Sequence, residues 1–309
     1  DYQKFIEYNI QDVELVDKLE DKMGLIDLCL TMAYDFKVNY TDVYSQVRCW
    51  DTLIYNHLHK KKIAIPPRED HDKATQFEGA YVKDPQLGLH KWIVSFDLNS
   101  LYPHLIMQYN NSPETYVGVE PKNVGVENYL NQKYNTKWLK DKDVTIAPNG
   151  AMFRRDKLGF LPELMKKNYD ARVIFKKKMI KAKQEYEKTK DPLYKKEIAR
   201  CHNIQMAKKI SLNSAYGAIG NQYFRYFEKN QAEAITMGGQ LTIRWVEKDI
   251  NKFMNKVLGT ENKNYVVASD TDSIYLRLDE LVQKTCKNKT PQQITDFLDK
   301  AAEEKIQKV

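Results

Sequence analysis

Two apolar, strand-like segments enclose a short acidic turn, and this pattern limits the fold more than any other part of the sequence. Tyr265–Ala268 precedes the turn Asp270-Thr271-Asp272-Ser273, and Ile274–Leu278 follows it. Because β-branched and aromatic residues dominate both segments, they predict a β-hairpin with its polar residues at the turn. Residues two apart on an extended chain point the same way, so Asp270 and Asp272 are predicted to share a face.

Carboxylates that share a face repel each other unless a cation or a proton lies between them, and Mg²⁺ prefers such oxygen ligands. The turn therefore points to a metal site, while a solvated Asp-rich turn is the more common structure of such a tetrapeptide. A calcium-binding EF-hand is excluded, because its loop would need Gly and Glu where this chain has Tyr275 and Leu281.

The composition is that of a globular protein. The chain has 309 residues, of which 42% are hydrophobic and 11% aromatic, so disorder is excluded and about two domains are expected. The net charge of +7 is compatible with a polyanionic partner. Lysine and arginine cluster between Lys166 and Lys209, although a solvated charged helix face would explain many of them.

Cysteine and histidine spacing argues against a disulfide framework or a zinc site and for a reducing compartment. None of the six histidines belongs to an HExxH motif, and the four cysteines form no CxxC pair, standing far apart at Cys29, Cys49, Cys201 and Cys286. No apolar run approaches the ~20 residues that cross a bilayer, and no signal peptide opens the sequence. We therefore expect a soluble, intracellular protein with no membrane partner.

Periodicity predicts helices over residues 1–58, followed by a polar, proline-containing linker from Lys60 to Thr75. Strands are predicted at Phe77–Val82 and at Trp92–Asp97, and the second is apolar enough to be buried on both faces. Asn99-Ser100 then supplies the cap of a helix that runs to Tyr109.

The middle of the chain is predicted to be helical after a polar, irregular surface segment at residues 118–147. Pro162 opens a long helix, Lys190-Asp191-Pro192 breaks it, and a second helix from about Tyr194 to Tyr216 returns antiparallel to the first. A third helix, over about 230–258, leads into the acidic hairpin. The start at Asp1 rather than Met, and an end within a helical pattern, predict a fragment.

A second acidic site follows the predicted strand that ends at Asp97. A carboxylate at the end of a buried strand is held rigidly at a sheet edge, and the amides of Ser100, Leu101 and Tyr102 at the next helix N-terminus form a cradle for an anion. Metal and phosphate can therefore meet there, while a helix-capping aspartate is the alternative interpretation of Asp97.

Basic residues on the two long helices form a candidate phosphate site. Lys209, Asn213 and Tyr216 stand at i, i+4 and i+7 and hence on one face. Arg172 and Lys176 stand one turn apart on the antiparallel helix. One Arg and two Lys would bind a triphosphate, since Arg supplies a bidentate fork and Lys supplies point charges. Salt-bridged surface charge is the alternative.

Three motifs resemble, in order and separation, motifs A, B and C of family B DNA polymerases: Asp97-Leu98-Asn99-Ser100-Leu101-Tyr102-Pro103, Lys209-x3-Asn213-Ser214-x-Tyr216-Gly217 and Asp270-Thr271-Asp272-Ser273. Other stretches are similar to the third exonuclease motif, the exonuclease–polymerase link, the palm after motif A and the fingers: Tyr8-x3-Asp12, Phe77-Glu78-Gly79-Ala80, Asn111–Thr115 and Asn168–Arg172. The resemblance covers essentially the whole chain, and the replicative polymerases of T-even-type bacteriophages are the most similar group.

The resemblance implies a mixed α+β fold with an antiparallel palm sheet and helical-hairpin fingers, preceded by the helical end of a ribonuclease H-like exonuclease domain. The implied segments are the end of the 3′→5′ exonuclease (1–59), a linker and the start of the palm (60–90), the palm with motif A (91–160), the fingers with motif B (161–225) and the palm with motif C (226–309), which ends before the thumb.

The resemblance also implies nucleotidyl transfer from a dNTP to a primer 3′ end. Asp97 and Asp272 would hold two Mg²⁺ ions, with Asp270 nearby as a less firm ligand and the Leu98 carbonyl completing the coordination. Arg172, Lys176 and Lys209 would bind the triphosphate beside the amides of Ser100, Leu101 and Tyr102. Lys209 would also donate a proton to pyrophosphate.

Tyr102 resembles the steric gate that excludes a 2′-hydroxyl, and Asn213 and Tyr216 would flank the nascent base pair. Three small residues would let the backbone approach DNA closely: Gly217, Gly79 and Ala80. The implied partners are primer–template DNA, dNTP, a sliding clamp and other replisome proteins, in the cytoplasm of an infected bacterial cell. A catalytically inactive nucleic-acid-binding module is the alternative function, and a reverse transcriptase is disfavoured because it does not pair such a motif C with motif B.

Three departures from the family pattern bear on function. Ala268-Ser269 replaces the usual Tyr-Gly before motif C, and a residue larger than Gly is expected to alter the approach of the primer end. The span of 33 residues from Lys176 to Lys209 predicts stubby fingers. Tyr8 and Asp12 represent only the last exonuclease motif, so proofreading should be incomplete in this chain and its isolated activity weak.

Overall fold

The computed structural model describes residues 1–68, 76–120, 124–134 and 137–309. The chain forms two compact units, residues 1–73 with 163–227 and residues 74–162 with 228–309. The predicted exonuclease end and fingers thus contribute to the first unit, and the predicted palm segments to the second. The predicted linker after residue 59 lies partly outside the described residues.

The helices are α1 (Tyr2–Met23), α2 (Leu25–Phe36), α3 (Gln46–Lys60), α4 (Leu101–Tyr109), α5 (Val126–Leu130), α6 (Phe160–Thr189), α7 (Pro192–Ile219), α8 (Lys229–Leu258), α9 (Asp279–Thr285) and α10 (Pro291–Glu304). The strands are β1 (Val82–Lys83), β2 (Ile93–Asp97), β3 (Tyr116–Val119), β4 (Val144–Ile146), β5 (Ala151–Arg154), β6 (Val266–Asp270) and β7 (Ser273–Arg277). Short 3₁₀ turns occur at Tyr40–Tyr44, Lys137–Asp141 and Ile306–Lys308. The mixed α and β fold class is therefore confirmed.

The core of the first unit lies where α2 and α3 pack on α7. Met32, Phe36 and Cys49 are buried there against Ala207. The fully buried indole of Trp50 donates a hydrogen bond to Ser214 Oγ at 3.1 Å, which ties α3 to α7. Both a hydrophobic contact and a directional hydrogen bond thus fix the surface on which motif B is carried.

Helix α1 confirms the helical prediction for the first residues but lacks the burial that its apolar stripe would lead one to expect. Within the described part of the chain none of its residues is buried, and Phe5, Ile10 and Val16 are more than half exposed. Gly24, with φ of 60°, ends α1 in the left-handed conformation that glycine adopts without strain.

Helices α6 and α7 form the predicted antiparallel pair. Asn168 donates a hydrogen bond to Ser211, Arg200 stacks on Phe175, and Lys195 lies over the ring of Tyr186, so contacts run in opposite directions along the two helices. The break falls at the predicted place: α6 ends at Thr189, and Asp191 caps α7 by accepting a hydrogen bond from the Leu193 amide at 2.9 Å.

The N-terminus of α6 begins at Phe160, two residues before the predicted Pro162. Ser112 and Glu114 cause this earlier start, because their side chains accept hydrogen bonds from the amides of Leu161 and Phe160 at 3.3 and 2.7 Å. These acceptors satisfy two of the helix amides that have no partner within the helix.

The second unit is built on an antiparallel sheet in the order β1-β6-β7-β2. One face packs on a core in which residues of α8, such as Ile243 and Met254, meet Ile274 and Leu276 of β7. The polar and half-exposed side chains alternate onto the other face, as expected for an antiparallel sheet with one covered side.

The prediction that the strand ending at Asp97 is buried on both faces is wrong. β2 is an edge strand, and Ile93, Ser95 and Asp97 are exposed while Val94 and Phe96 pack on the core. Its apolar residues also occupy the open face of the sheet. Periodicity alone cannot show whether that face is covered by another layer or exposed to solvent.

The predicted strand at Phe77–Val82 is also largely wrong, because only Val82 falls in β1. The carbonyls of Glu78 and Gly79 accept hydrogen bonds from the side chains of Thr236 and Gln240 on α8, each at 2.7 Å. Bonds to a helix replace those of a strand ladder, and Gly79 adds little strand propensity.

The described part of residues 118–147 is more ordered than predicted. A second sheet, in the order β3-β5-β4, contains part of this segment, and α5 buries Val126 and Leu130. Residues 121–123 and 135–136 lie outside the described residues. Among the described helices, none combines the length and the apolar character needed to cross a membrane.

We predict that Ile54→Ala lowers the free energy of unfolding of the first unit by about 2–5 kcal/mol, because Ile54 is 0% exposed and its loss leaves a cavity. The matched control is Ile174→Ala in the same unit, where the side chain is 52% exposed and the change should stay within about 0.5 kcal/mol. Urea unfolding followed by circular dichroism measures both. Equal effects of the two substitutions would contradict the packing described for α3.

Candidate active site

The acidic turn joins β6 to β7 as the sequence predicts. Asp270 pairs with Ser273, and Thr271 adopts φ of 53° between them. The Asp272 amide donates to the Asp270 carbonyl at 2.6 Å, and the Thr271 amide donates to the Tyr81 carbonyl at 3.0 Å. The expectation that the two aspartates share a face by strand alternation is wrong, because Thr271 is left-handed rather than extended. The relative position of Asp270 and Asp272 is instead set by the tight turn at Thr271.

Asp97 reaches the same turn from the neighbouring strand. It pairs with Ser273, which on its other side pairs with Asp270. Since adjacent strands lie about 4.8 Å apart, the backbones of Asp97 and Asp270 stand about 10 Å apart with Ser273 between them. The Leu98 amide also donates to the Asp272 carbonyl at 2.7 Å, so the end of β2 is tied directly to the turn.

The electrostatics of the turn show that its carboxylates interact. Asp272 is half-buried, and its pKa is raised above the ordinary value, first by burial and then by repulsion from Asp97 and Asp270. A hydrogen bond from its own backbone acts in the opposite direction. Burial and repulsion therefore both disfavour the negative charge of Asp272 when no cation is nearby.

The donor set of this group fits a hard divalent cation. Asp97, Asp270 and Asp272 offer carboxylate oxygens, which Mg²⁺ prefers, and their mutual repulsion is what a cation would relieve. Among the described residues there is no ready-made cluster of three or more His, Cys, Asp or Glu side chains in metal-binding geometry. The fit thus rests on the approach of Asp97 to the turn that carries Asp270 and Asp272. It does not rest on a complete set of metal ligands.

Ser269 lies on the side of the sheet away from the carboxylates. It pairs with Ile274, both side chains are almost fully buried, and the Ser269 hydroxyl has no hydrogen-bond partner among the described residues. Ala268 instead shares the open face with Asp270. Strand alternation therefore turns the Ser269 side chain into the core, and the altered approach of the primer end stays a prediction.

The helix after Asp97 starts at Leu101 with Ser100 at its cap as predicted, but without a side-chain capping bond. Ser100 occupies the cap position with φ of 55° and makes no side-chain hydrogen bond to the helix amides. The tight turn from β2 into α4 requires this left-handed residue, which places the Ser100 hydroxyl away from the usual capping geometry. The predicted amides of Ser100, Leu101 and Tyr102 nevertheless lie at the start of α4, immediately after the carboxylate strand.

Two adjacent glycines of α8 approach α4 closely, and the sequence analysis missed them. A Cβ at Gly239 would lie 3.0 Å from Cε1 of Tyr102, and a Cβ at Gly238 would lie 2.9 Å from Cε2 of Tyr109. Paired glycines inside a helix weaken it, so their presence signals a packing requirement. The two adjacent glycines can be read from the sequence, but the sequence does not indicate that α4 is the helix they contact.

Gly79 and Ala80, the predicted template contacts, are exposed in the segment before β1. The hydrogen bond from Gln240 to the Gly79 carbonyl holds this segment against α8. The second unit therefore brings together the motif A and motif C residues, the start of α4 and the Gly79-Ala80 segment.

The predicted phosphate-binding side chains of α6 and α7 belong to the first unit. On α7, Lys209, Asn213 and Gly217 are exposed and Tyr216 is half-buried, as expected if Lys209, Asn213 and Tyr216 share one face, whereas Ser214 of the same motif is buried. Burial raises the pKa of Tyr216. On α6, Lys176 is exposed and Arg172 is half-buried, one turn apart as predicted.

Lys208 is a structural lysine that the sequence analysis did not separate from its neighbour. Its ammonium donates to both carboxylate oxygens of Asp35, at 2.5 and 2.8 Å, and to Asn168 Oδ1 at 3.1 Å. This network joins α2, α6 and α7 beside the predicted site. The sequence alone does not distinguish the paired Lys208 from the exposed Lys209. Only the tertiary contact with Asp35 and Asn168 does so.

Tyr8 and Asp12, the predicted exonuclease residues, lie one turn apart on α1, and both are exposed. They belong to the first unit, and the acidic turn belongs to the second. Their predicted role in proofreading stays a prediction.

Known proteins similar to this chain are polymerases. A family model described as DNA polymerase family B matches residues 38–303. The DNA-directed DNA polymerases of Escherichia phage RB69 and Enterobacteria phage T4 are 33% and 31% identical, each over 99% of this chain. A DNA polymerase of Pyrococcus glycovorans is 34% identical over 64% of the chain.

The chain spans 38% of the length of each phage relative and 21% of the Pyrococcus one. Among solved structures, the family B DNA polymerase from Pyrobaculum calidifontis superposes with a TM-score of 0.63 at 23% identity, over 98% of this chain and 34% of that one. The shared fold and the match to most of the sequence lead to one conclusion. The chain belongs to the family B DNA polymerases.

Proposed function

We propose that this chain carries the nucleotidyl-transfer site of a DNA-directed DNA polymerase, which adds dNTPs to a primer 3′ end on a template. The observation that carries the proposal is the convergence of Asp97 and Asp270 on the turn that holds Asp272. Burial, and then repulsion from Asp97 and Asp270, raises the pKa of Asp272. A carboxylate whose negative charge is disfavoured by its surroundings suits a site that divalent cations complete.

In this proposal Asp97 and Asp272 hold two Mg²⁺ ions, with the Leu98 carbonyl and Asp270 as further oxygen ligands. When bound, the ions supply activation of the primer 3′-hydroxyl and charge neutralisation at the phosphates. The residues of the chain position this chemistry. Pairing of Asp97 and Asp270 with the same Ser273 holds the ligands on one rigid sheet.

In this proposal Arg172, Lys176 and Lys209 bind the phosphates of the triphosphate. Exposure of Lys176 and Lys209 leaves both ammonium groups accessible to an anion. Lys209 donates a proton to the departing pyrophosphate, which avoids the formation of an unneutralised leaving group.

Selection of the substrate falls to residues around the nucleotide. Ser100 and Leu101 contribute backbone donors, and Tyr102 excludes a 2′-hydroxyl. Asn213 and Tyr216 flank the nascent base pair, while Gly217, Gly79 and Ala80 permit close approach of the DNA backbone.

The wider setting is also part of the proposal. The similarity to phage polymerases suggests DNA replication in the cytoplasm of an infected bacterial cell, with primer–template DNA and dNTP as substrates. Sliding-clamp and other replisome contacts are proposed by analogy with replicative enzymes of this family. Tyr8 and Asp12 would contribute to a 3′→5′ exonuclease.

We predict that Asp272→Asn lowers the rate of dNTP incorporation by about 10²–10³-fold, because a metal ligand loses its charge. Primer extension by the complete gene product that carries this sequence measures the rate. Asp299→Asn, at an exposed position of α10, is the matched control and should retain the wild-type rate. Wild-type incorporation by Asp272→Asn would contradict a catalytic role of this turn, and no incorporation by the wild-type protein would favour the alternative, a catalytically inactive nucleic-acid-binding module.

We predict that Lys209→Ala and Lys209→Arg separate binding from proton transfer. Lys209→Ala should raise KM for dNTP and lower kcat by about 10²-fold, since both charge and proton are lost. Lys209→Arg should keep KM near the wild-type value but still lower kcat, because a guanidinium holds its proton. Single-nucleotide incorporation kinetics measure both constants, with Lys183→Ala on α6 as the control. Full kcat in Lys209→Arg would rule out the proton-donor role.

A further inference from the structure

The ring of Tyr102 rests on a position of α8 that has no side chain. Gly239 is buried, and a Cβ built there would meet Cε1 of Tyr102 at 3.0 Å, Cδ1 at 3.7 Å and Leu101 Cδ2 at 3.5 Å. Real Cβ atoms very seldom approach as closely as the first of these contacts. The surface of α8 at Gly239 therefore limits how deeply the Tyr102 ring can sit.

Gly238 provides an internal comparison. It is also buried on α8, and a Cβ there would meet Tyr109 Cε2 at 2.9 Å and Leu105 Cδ2 at 3.4 Å. The two glycines thus make equivalent contacts with two tyrosines of the same helix, α4. Tyr102 stands in the first turn of α4 beside the carboxylate strand, whereas Tyr109 is its last residue.

We propose that Gly239 is a positioning residue that sets the depth of the Tyr102 ring and thereby the space left for the sugar of the incoming nucleotide. This inference rests on the proposed polymerase function and on the proposed contact of Tyr102 with that sugar. Gly239 itself touches no substrate. Its effect passes through the aromatic ring packed on it.

The direction of the effect follows from the burial of the two groups. Gly239 is buried on the side of the ring that faces α8, while Tyr102 is only half-buried. A methyl group at position 239 displaces the ring by a few tenths of an ångström away from α8. The nucleotide has to approach from the accessible side of the ring, so the displaced ring takes space from the sugar.

The test compares Gly239→Ala with Gly238→Ala in the complete gene product that carries this sequence. We expect Gly239→Ala to raise KM for dNTP about fivefold and to leave kcat within about twofold. The selectivity ratio, which is kcat/KM for dNTP divided by kcat/KM for rNTP, should also change. Gly238→Ala should leave KM and the selectivity ratio unchanged. Thermal unfolding by circular dichroism checks that both variants fold, since alanine also favours a helix over glycine.

A second background shows whether the effect passes through the ring. In Tyr102→Leu, where the aromatic ring is gone, Gly239→Ala should change KM for dNTP by less than twofold. The inference is overturned if Gly239→Ala behaves as wild type, if Gly238→Ala has the same effect, or if the effect persists in Tyr102→Leu. Failure of the proposed function would show separately, as full incorporation by Asp272→Asn.

Discussion

The repulsion among carboxylates held at one sheet turn is the constraint on which the rest of this structure depends. Antiparallel pairing places Asp97 and Asp270 on the two sides of Ser273, and the turn inserts Asp272 beside them. Such an arrangement costs free energy unless a cation compensates it, so the surrounding elements must hold it in place. The Leu98 amide bound to the Asp272 carbonyl and the core beneath Ile274 supply that support.

Helix α8 connects the parts of the second unit. Its apolar side covers the buried face of the sheet, and its side chains bind the carbonyls of the Gly79 segment. Its two glycines admit α4 closely enough for Tyr102 to pack on the helix backbone. One helix therefore fixes the carboxylate sheet, the proposed template contact and the proposed sugar contact. In the first unit α7 has a corresponding role, because its buried side forms the core while Lys209 and Asn213 stay exposed.

The sequence predicts those features that local signals determine. The acidic hairpin, the break at Lys190-Asp191-Pro192 between the two long helices and the end of α8 at Leu258 all depend on residues close in sequence. Features that depend on distant partners escaped prediction. The edge position of β2 left Ile93 exposed, and the tight turn made Ser100 left-handed without a capping bond. The assignment of motifs A, B and C to one function came from the family resemblance, because no single motif indicates that function by itself.

The most direct test of a divalent-cation site at this turn is a measurement of Mn²⁺ binding to the chain by electron paramagnetic resonance, with Mn²⁺ standing in for Mg²⁺. The wild-type chain should bind Mn²⁺, and Asp97→Asn should weaken that binding about tenfold or more, because one of two facing charges is removed. The control Asp299→Asn should bind as the wild type does. Equal affinity of wild type and Asp97→Asn would contradict a shared cation between Asp97 and Asp272.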